Sequence, residues 1–262
     1  MAKRTKKVVR VESTPDAETS STESNWKPTA ESKSKAGRFR IIAAVLWVLA
    51  IATEAFAIFW LLRQVPFETW HLILLIGLLV VIAGLAIGGS LLWKKANRLD
   101  PASKKDKFRF FVQNQLGAIV TAIAFLPLIV MILLNKDMDG KQKGIAGGIA
   151  VVLLLVAAYF GVDWNAPSQE DYANDRDAVV FLTGQDEVTW TQSGSVFHLC
   201  QDASDVNRES KDGQIFVGTT QEAVAAGKSR LTKKLAQEVR ECGIDPQKLE
   251  DWENQDVTGG SE

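Results

Sequence analysis

Four apolar runs alternate with short polar breaks between residues 41 and 162. The runs are 18 to 23 residues long and cover residues 41–62, 71–93, 116–134 and 145–162. As a helix, the first run reaches about 33 Å, enough to cross a hydrocarbon layer of about 30 Å. Backbone amides in lipid must find hydrogen-bond partners within their own segment, which favours helices over strands. The pattern predicts a membrane all-α fold, a four-helix transmembrane bundle over residues 37–164.

The two ends of the chain differ in composition from this apolar centre. Residues 1–36 are rich in Ser, Thr, Lys and Glu and lack apolar periodicity, which predicts a disordered basic arm. Residues 165–262 contain short β-prone runs at 178–182, 188–191, 195–198 and 214–217. One helix is expected to begin at a capping box of Thr219 and Glu222 and to end at Gly227, and another covers about residues 230–242. This order predicts a small soluble α+β domain.

Charge is distributed unevenly along the chain. Residues 163–262 carry 9 basic and 20 acidic side chains, a net charge of −11, which is a poor match for nucleic acid. The polar connection at residues 94–109 holds seven basic residues, the other two connections together hold four, and four more lie at residues 33–40. The positive-inside rule then predicts that both termini are cytoplasmic.

Glu54 lies well inside the first apolar run. A carboxylate at this depth is costly, so we expect it to face the bundle interior or a water-filled cavity. It is either a proton or ion relay or a structural acid bonded to a neighbouring helix, and the lack of a second charged group in the other runs favours the structural acid. Small residues predict helix packing faces, within the bundle or against a second copy: Gly84, Gly88, Gly144 and Gly148.

The third polar break begins like a calcium-binding loop. Asn135, Asp137, Asp139 and Gly140 have the required spacing, but Ala146 stands where a bidentate Glu belongs. We therefore interpret this segment as a polar turn.

Two stretches of the C-terminal region carry a resemblance to a known module. They are Val-Thr-Trp-Thr-Gln-Ser-Gly-Ser-Val-Phe-His at residues 188–198 and Gly-Thr-Thr-Gln-Glu-Ala-Val-Ala-Ala-Gly-Lys at residues 218–228. Together they resemble a small bacterial zinc-binding module that ends certain secreted nucleases and is similar to the metal-binding domain of the Ada DNA-repair protein. Similar tails occur on four-span bacterial membrane proteins, so the resemblance implies a bacterial plasma-membrane protein.

The resemblance also implies a set of zinc ligands, of which this chain keeps one. His198 matches, whereas Asp202 or Ala203 stands at the first cysteine position, and Thr232 and Leu235 replace a Cys-x-x-Cys pair. The two cysteines of the chain lie nearby, and a rebuilt zinc site would use His198, Cys200 and Cys242, with Asp202 as a fourth ligand. The alternative, which the ligand count favours, is a domain that has lost its metal and needs no cofactor, with both cysteines as small buried apolar groups.

The sequence contains no paired acids, nucleophile–base set or phosphate-binding loop of the kind that catalysis requires. We therefore predict a non-enzymatic integral membrane protein, an accessory or anchoring subunit with a cytoplasmic interaction domain. Its expected partners are the lipid bilayer and another membrane protein or its own copy, and not nucleic acid. The alternatives are a small oligomeric transporter or channel that uses Glu54 and a metal-binding sensor.

Overall fold

The chain forms two structural units. The structure, a computed structural model, describes residues 6–11 and 26–259. The helical unit contains residues 34–97 and 106–166, and the C-terminal unit contains residues 1–33, 98–105 and 167–262. The boundaries expected from composition, 37–164 and 165–262, therefore miss two pieces of the C-terminal unit that precede it in the chain.

The helical unit contains the four predicted apolar helices. They are α1 (Ala30–Phe59), which a short 3-10 turn extends to Arg63, α2 (Thr69–Leu99), α3 (Lys107–Leu134) and α4 (Gly140–Gly161). Within the described residues, these four helices are long and apolar enough to cross a membrane. Their lipid-length apolar runs make this a multi-pass membrane protein, with a buried core of mostly Leu, Ile and Ala shared by all four helices.

Side-chain caps define where two of these helices begin. The Asp106 carboxylate accepts a hydrogen bond from the Arg109 amide at the start of α3. Asp139 and Gln142 form a reciprocal capping box at the start of α4. The turn before it is closed by Asn135, whose side-chain oxygen accepts from two following backbone amides. The residues that have the spacing of a calcium-binding loop therefore form a polar turn and a helix cap.

The predicted packing glycines do not mark close helix contacts within the described bundle, and their packing against a second copy stays a prediction. A Cβ added at Gly84, Gly144 or Gly148 would meet no atom of the described chain within 4 Å, and one at Gly88 would meet only Leu46 Cδ1 at 3.5 Å. A close approach of two helix backbones lies between α3 and α4, where a Cβ on Gly117 would stand 2.7 Å from the carbonyl oxygen of Gly161. Spacing alone shows that two glycines share a face, but it does not show which face is buried.

The C-terminal unit is built around a small mixed sheet. The described strands are β1 (Lys7–Arg10), β2 (Val188–Trp190) and β3 (Gln214–Gly218), in the order β1-β3-β2. Strand β1 pairs parallel with β3, and β2 pairs antiparallel with it. The helices are α5 (Gln169–Thr183), α6 (Ser204–Glu209), α7 (Thr220–Ala225), α8 (Leu235–Glu241) and α9 (Pro246–Gly259). This small sheet with several helices agrees with the predicted α+β class.

The prediction of a disordered arm over residues 1–36 is wrong for its described parts. Residues 7–10 form β1, Trp26 is 1% exposed in the core beside Tyr172, and α1 begins at Ala30. The low apolar content of the arm as a whole hides these two anchors, whose burial depends on surfaces supplied by distant segments. The part of the arm at residues 1–5 and 12–25 lies outside the described residues.

Two local predictions in this unit are also wrong. Residues 178–182 belong to the second half of α5, which begins at a capping box of Ser168 and Asp171. The helix at residues 230–242 is shorter than expected and starts at Leu235. Its predicted first turn is extended because Leu231 bridges to Phe197. The capping box of Thr219 and Glu222 at the start of α7 is confirmed.

The connection between α2 and α3 is part of this unit. The amide of Gln169 donates to the carbonyl of Ala102, and the Tyr172 hydroxyl donates to the carbonyl of Arg98. Ser103 and the backbone amide of Lys104 both donate to the Glu170 carboxylate. Burial alone would raise the pKa of Glu170, but these hydrogen bonds outweigh it and lower the pKa to about 2. The connection is thereby fixed to the start of α5.

Candidate functional site

The proposed ligands His198, Cys200 and Cys242 come together, but not as a metal site. Cys200 and Cys242 form a disulfide with their Cα atoms 5.9 Å apart. Metal-ligating cysteines must be thiolates, so this bond removes both from the predicted set. Asp202, the proposed fourth ligand, is exposed. Among the described residues no group of three His, Cys, Asp or Glu side chains could hold a metal ion.

His198 instead forms a buried pair with Glu238. The Nδ1 atom of His198 lies 2.6 Å from Glu238 Oε1, and Glu238 Oε2 accepts a hydrogen bond from the Leu199 amide. On the other side of the ring, Nε2 lies 3.7 Å from a Glu209 oxygen and has no hydrogen-bond partner in the described part of the chain. The pair joins the segment after β2 to α8, the same two segments that the disulfide joins.

Lys228 fixes the hairpin turn that precedes His198. Its buried amine donates to the carbonyl oxygens of Thr191 and Gly194, both at 2.6 Å, and to that of Gln192 at 3.3 Å. Burial lowers the pKa of Lys228, while the nearby Glu209 carboxylate acts in the opposite direction. Lys228, which is part of the resemblance, therefore has a structural role in this fold, because it holds the turn.

Glu54 lies inside the helical unit, where we expected it. Its side chain is 4% exposed and approaches the backbone at Leu128 of α3, next to Pro127. The Oε1 atom has no hydrogen-bond partner among residues 6–11 and 26–259. A buried carboxyl oxygen without a partner is costly in a protein interior, which makes Glu54 the candidate functional group of the helical unit.

Sequence reasoning missed a cleft in the C-terminal unit. It has a volume of about 690 Å³ and lies between α5, the extended segment before α8, and α9. Asp175 of α5 is half-buried in its wall and accepts a hydrogen bond from the Leu231 amide at 2.9 Å. Burial raises the pKa of Asp175 to about 6, although that hydrogen bond opposes the shift. A titratable group with a raised pKa in a cleft of this size is typical of a binding site.

The rest of the cleft wall combines both charges with an aromatic surface. Trp252 packs against Phe181 with its ring tilted and the ring centroids 5.6 Å apart, and it also lines the cleft. Lys233 and Glu253 also line the cleft, and both are exposed. These residues come from segments that the sequence presents as a linker, a helix start and a tail, and α9 itself was not predicted. No local pattern could therefore have revealed the cleft.

Comparison with known proteins adds no relative. No protein-family model, curated protein or solved structure matches this chain. The resemblance of residues 188–198 and 218–228 to the Ada-like zinc module therefore stays a prediction, while the ligand set that it implied is replaced by a disulfide and a buried His–Glu pair.

Proposed function

We propose that this protein is a non-enzymatic accessory or anchoring subunit, which holds an interaction domain at the cytoplasmic face of a bacterial plasma membrane. The observation that carries the proposal is that the C-terminal unit is built from three separate segments of the chain. It is assembled from the N-terminal segment, the connection between α2 and α3, and the chain after α4. A domain built in this way is connected to the membrane segments at several points of the chain, and this supports an anchored binding module.

The same observation supports four crossings. An even number of crossings puts the N-terminus, the second connection and the C-terminus on one side of a membrane. These are the three segments that fold together, whereas the first and third connections belong to the helical unit. The seven basic residues at positions 94–109 then favour the cytoplasm for that side.

The disulfide makes orientation the most informative property to test. Disulfides are rare in the reducing cytosol, so a cytoplasmic C-terminal unit should keep Cys200 and Cys242 as thiols, whereas an extracytoplasmic one should keep the bond. Reporter fusions after Leu134 and after Trp164 measure the side directly. An extracytoplasmic signal at Trp164 would overturn the cytoplasmic placement. It would instead place the disulfide in an oxidising compartment, where such bonds persist.

The interaction role is tested by co-purification from native membranes in mild detergent. We expect a defined partner with the tagged wild-type chain and its loss when the cleft is altered by Trp252→Ala or Lys233→Glu. Lys211→Glu makes the same charge change at an exposed site outside the cleft and should leave the partner bound. Equal recovery from all three variants would remove the cleft from the proposal, and turnover of a small molecule by the purified chain would overturn the non-enzymatic role.

A second candidate function is supported by Glu54. A small oligomeric transporter or channel would need a membrane-embedded ionisable group, and Glu54 is buried with one unpartnered oxygen beside the Pro127 position of α3. Flux measurements on reconstituted protein decide between this role and a structural acid.

A further inference from the structure

Strand β1 occupies the edge of β3 although it belongs to the far N-terminus. Its register pairs Val8 with Ile215 and Arg10 with Val217. Fourteen residues, 12–25, separate this paired segment from the anchored Trp26. An edge strand exposes a row of backbone donors and acceptors that another extended segment can pair with. The C-terminal unit thus uses its own N-terminal segment to cover one edge of its sheet.

The N-terminal segment is held by few apolar contacts. Val8 is 47% exposed, Lys7 and Arg10 are exposed, and Val9 and Val11 are half-buried. Backbone hydrogen bonds at the two ends close the pairing, from the Lys7 amide to Gly213 and from the Val11 amide to Val217. Four paired residues with this little burial make a short strand that a competing segment can displace.

Two basic side chains give the pairing its specificity. The Lys6 amine donates to three oxygens at once: the carbonyl and side-chain oxygens of Asn207 at 2.9 and 2.8 Å, and the Ser210 hydroxyl at 2.6 Å. The Arg10 guanidinium lies 2.8 Å from a Glu187 carboxylate oxygen. Because side chains alternate along a strand, Lys6 and Arg10 share one face, while Val9 and Val11 share the other.

We propose that the β3 edge is a docking site for an extended basic segment of a partner protein, and that residues 6–11 occupy this site in the free protein. The segment that fits carries Lys and Arg four residues apart, with apolar residues on the alternate face. Strand addition of this kind draws affinity from backbone hydrogen bonds and specificity from side-chain pockets. The net charge of −11 over residues 163–262 favours such a basic ligand.

This proposal rests on the proposed function only in treating the C-terminal unit as an interaction domain. The surface is distinct from the cleft at Asp175, because it is formed by β3 together with Glu187, Asn207 and Ser210. A segment of the same chain is present at a high effective concentration, so β1 competes with any partner from within the same chain.

The test uses the full chain in detergent, a version that lacks residues 1–11, and a fluorescent peptide with the sequence of residues 5–12. We expect saturable binding to the truncated chain and at least about tenfold weaker binding to the intact chain, whose edge is occupied. Replacing the peptide's Lys6 equivalent with Ala removes three charge-assisted hydrogen bonds and should weaken binding by roughly tenfold or more. Replacing its Arg10 equivalent removes one exposed ion pair and should weaken binding by less. A peptide of the same composition in scrambled order is the control.

A second variant guards against misfolding of the truncated chain. In the intact chain, Lys6→Ala together with Arg10→Ala should loosen β1 and raise peptide affinity toward that of the truncated chain. Equal binding to all chains, or binding of the scrambled peptide, overturns the proposal, and so does absence of binding to both altered chains. If the intact chain is a dimer that the truncated chain no longer forms, the occupant is a second copy, and the partner-protein assignment is wrong.

Discussion

Removing the disulfide should weaken the C-terminal unit without unfolding it. The change is Cys200→Ala with Cys242→Ala. The two residues are 42 positions apart, and for a loop of this length the chain-entropy relation gives a stabilisation of about 4 kcal/mol at 25 °C. The variant should stay folded, because the hydrogen bonds from His198 and Leu199 to Glu238 join the same two segments.

The assay is hydrogen exchange of the full chain in detergent, followed by mass spectrometry of peptides from β2 and α8. Opening free energies of these peptides should fall by about 2–4 kcal/mol in the variant, with those of the helical unit unchanged. A dithiol reductant should lower the opening free energies of the wild type to those of the variant. It should not change those of the variant, which therefore serves as the control for other effects of the reductant.

One result would refute this reasoning. The mass of the wild type before reduction shows whether its disulfide is intact. If it is intact and hydrogen exchange in β2 and α8 is still identical in the two proteins, the disulfide does not stabilise the fold by lowering the conformational entropy of the unfolded chain. A wild type purified with two free thiols would instead show that the bond does not form in the native compartment, in agreement with a cytoplasmic location.

Three further predictions follow from buried groups and close contacts. The folded pKa of Asp175 is raised from 3.8 to about 6, so its contribution to stability is present below pH 4 and is lost as the pH rises through 6. Asp175→Asn should therefore stabilise the C-terminal unit above pH 7 by up to about 3 kcal/mol and have no such effect at pH 4. Hydrogen exchange at the two pH values measures this difference. Gly117→Ala should cost about 1–3 kcal/mol, since its Cβ would stand 2.7 Å from the Gly161 carbonyl, whereas Gly84→Ala, in open space, should not lower the thermal midpoint of the same preparation. Glu54→Gln should leave membrane yield and thermal midpoint unchanged, and loss of a proton- or cation-dependent flux in reconstituted vesicles would replace the structural role with transport.

The four apolar helices could be predicted because their cause is local. Each run is long enough to cross a membrane by itself. In lipid, a single segment of that length can satisfy its backbone hydrogen bonds internally only by forming a helix. The turn residues and the capping box at Thr219 are local in the same sense, since a cap joins atoms three residues apart. Orientation, function and partners remain predictions, since no feature of the described chain measures them.

The remaining features depend on which distant segments meet, and this only the tertiary structure decided. Composition assigned residues 1–36 to disorder, yet β1 and Trp26 are held by surfaces about 140 to 210 residues away in the chain, at Tyr172 and β3. The cysteines have no spacing that distinguishes a ligand pair from a disulfide, and they bond because the segment after β2 and α8 bring their Cα atoms within 5.9 Å. Likewise, Asp175 acquires its raised pKa only when α5 packs against residues 230–235, because desolvation is a property of the packed site and not of the residue.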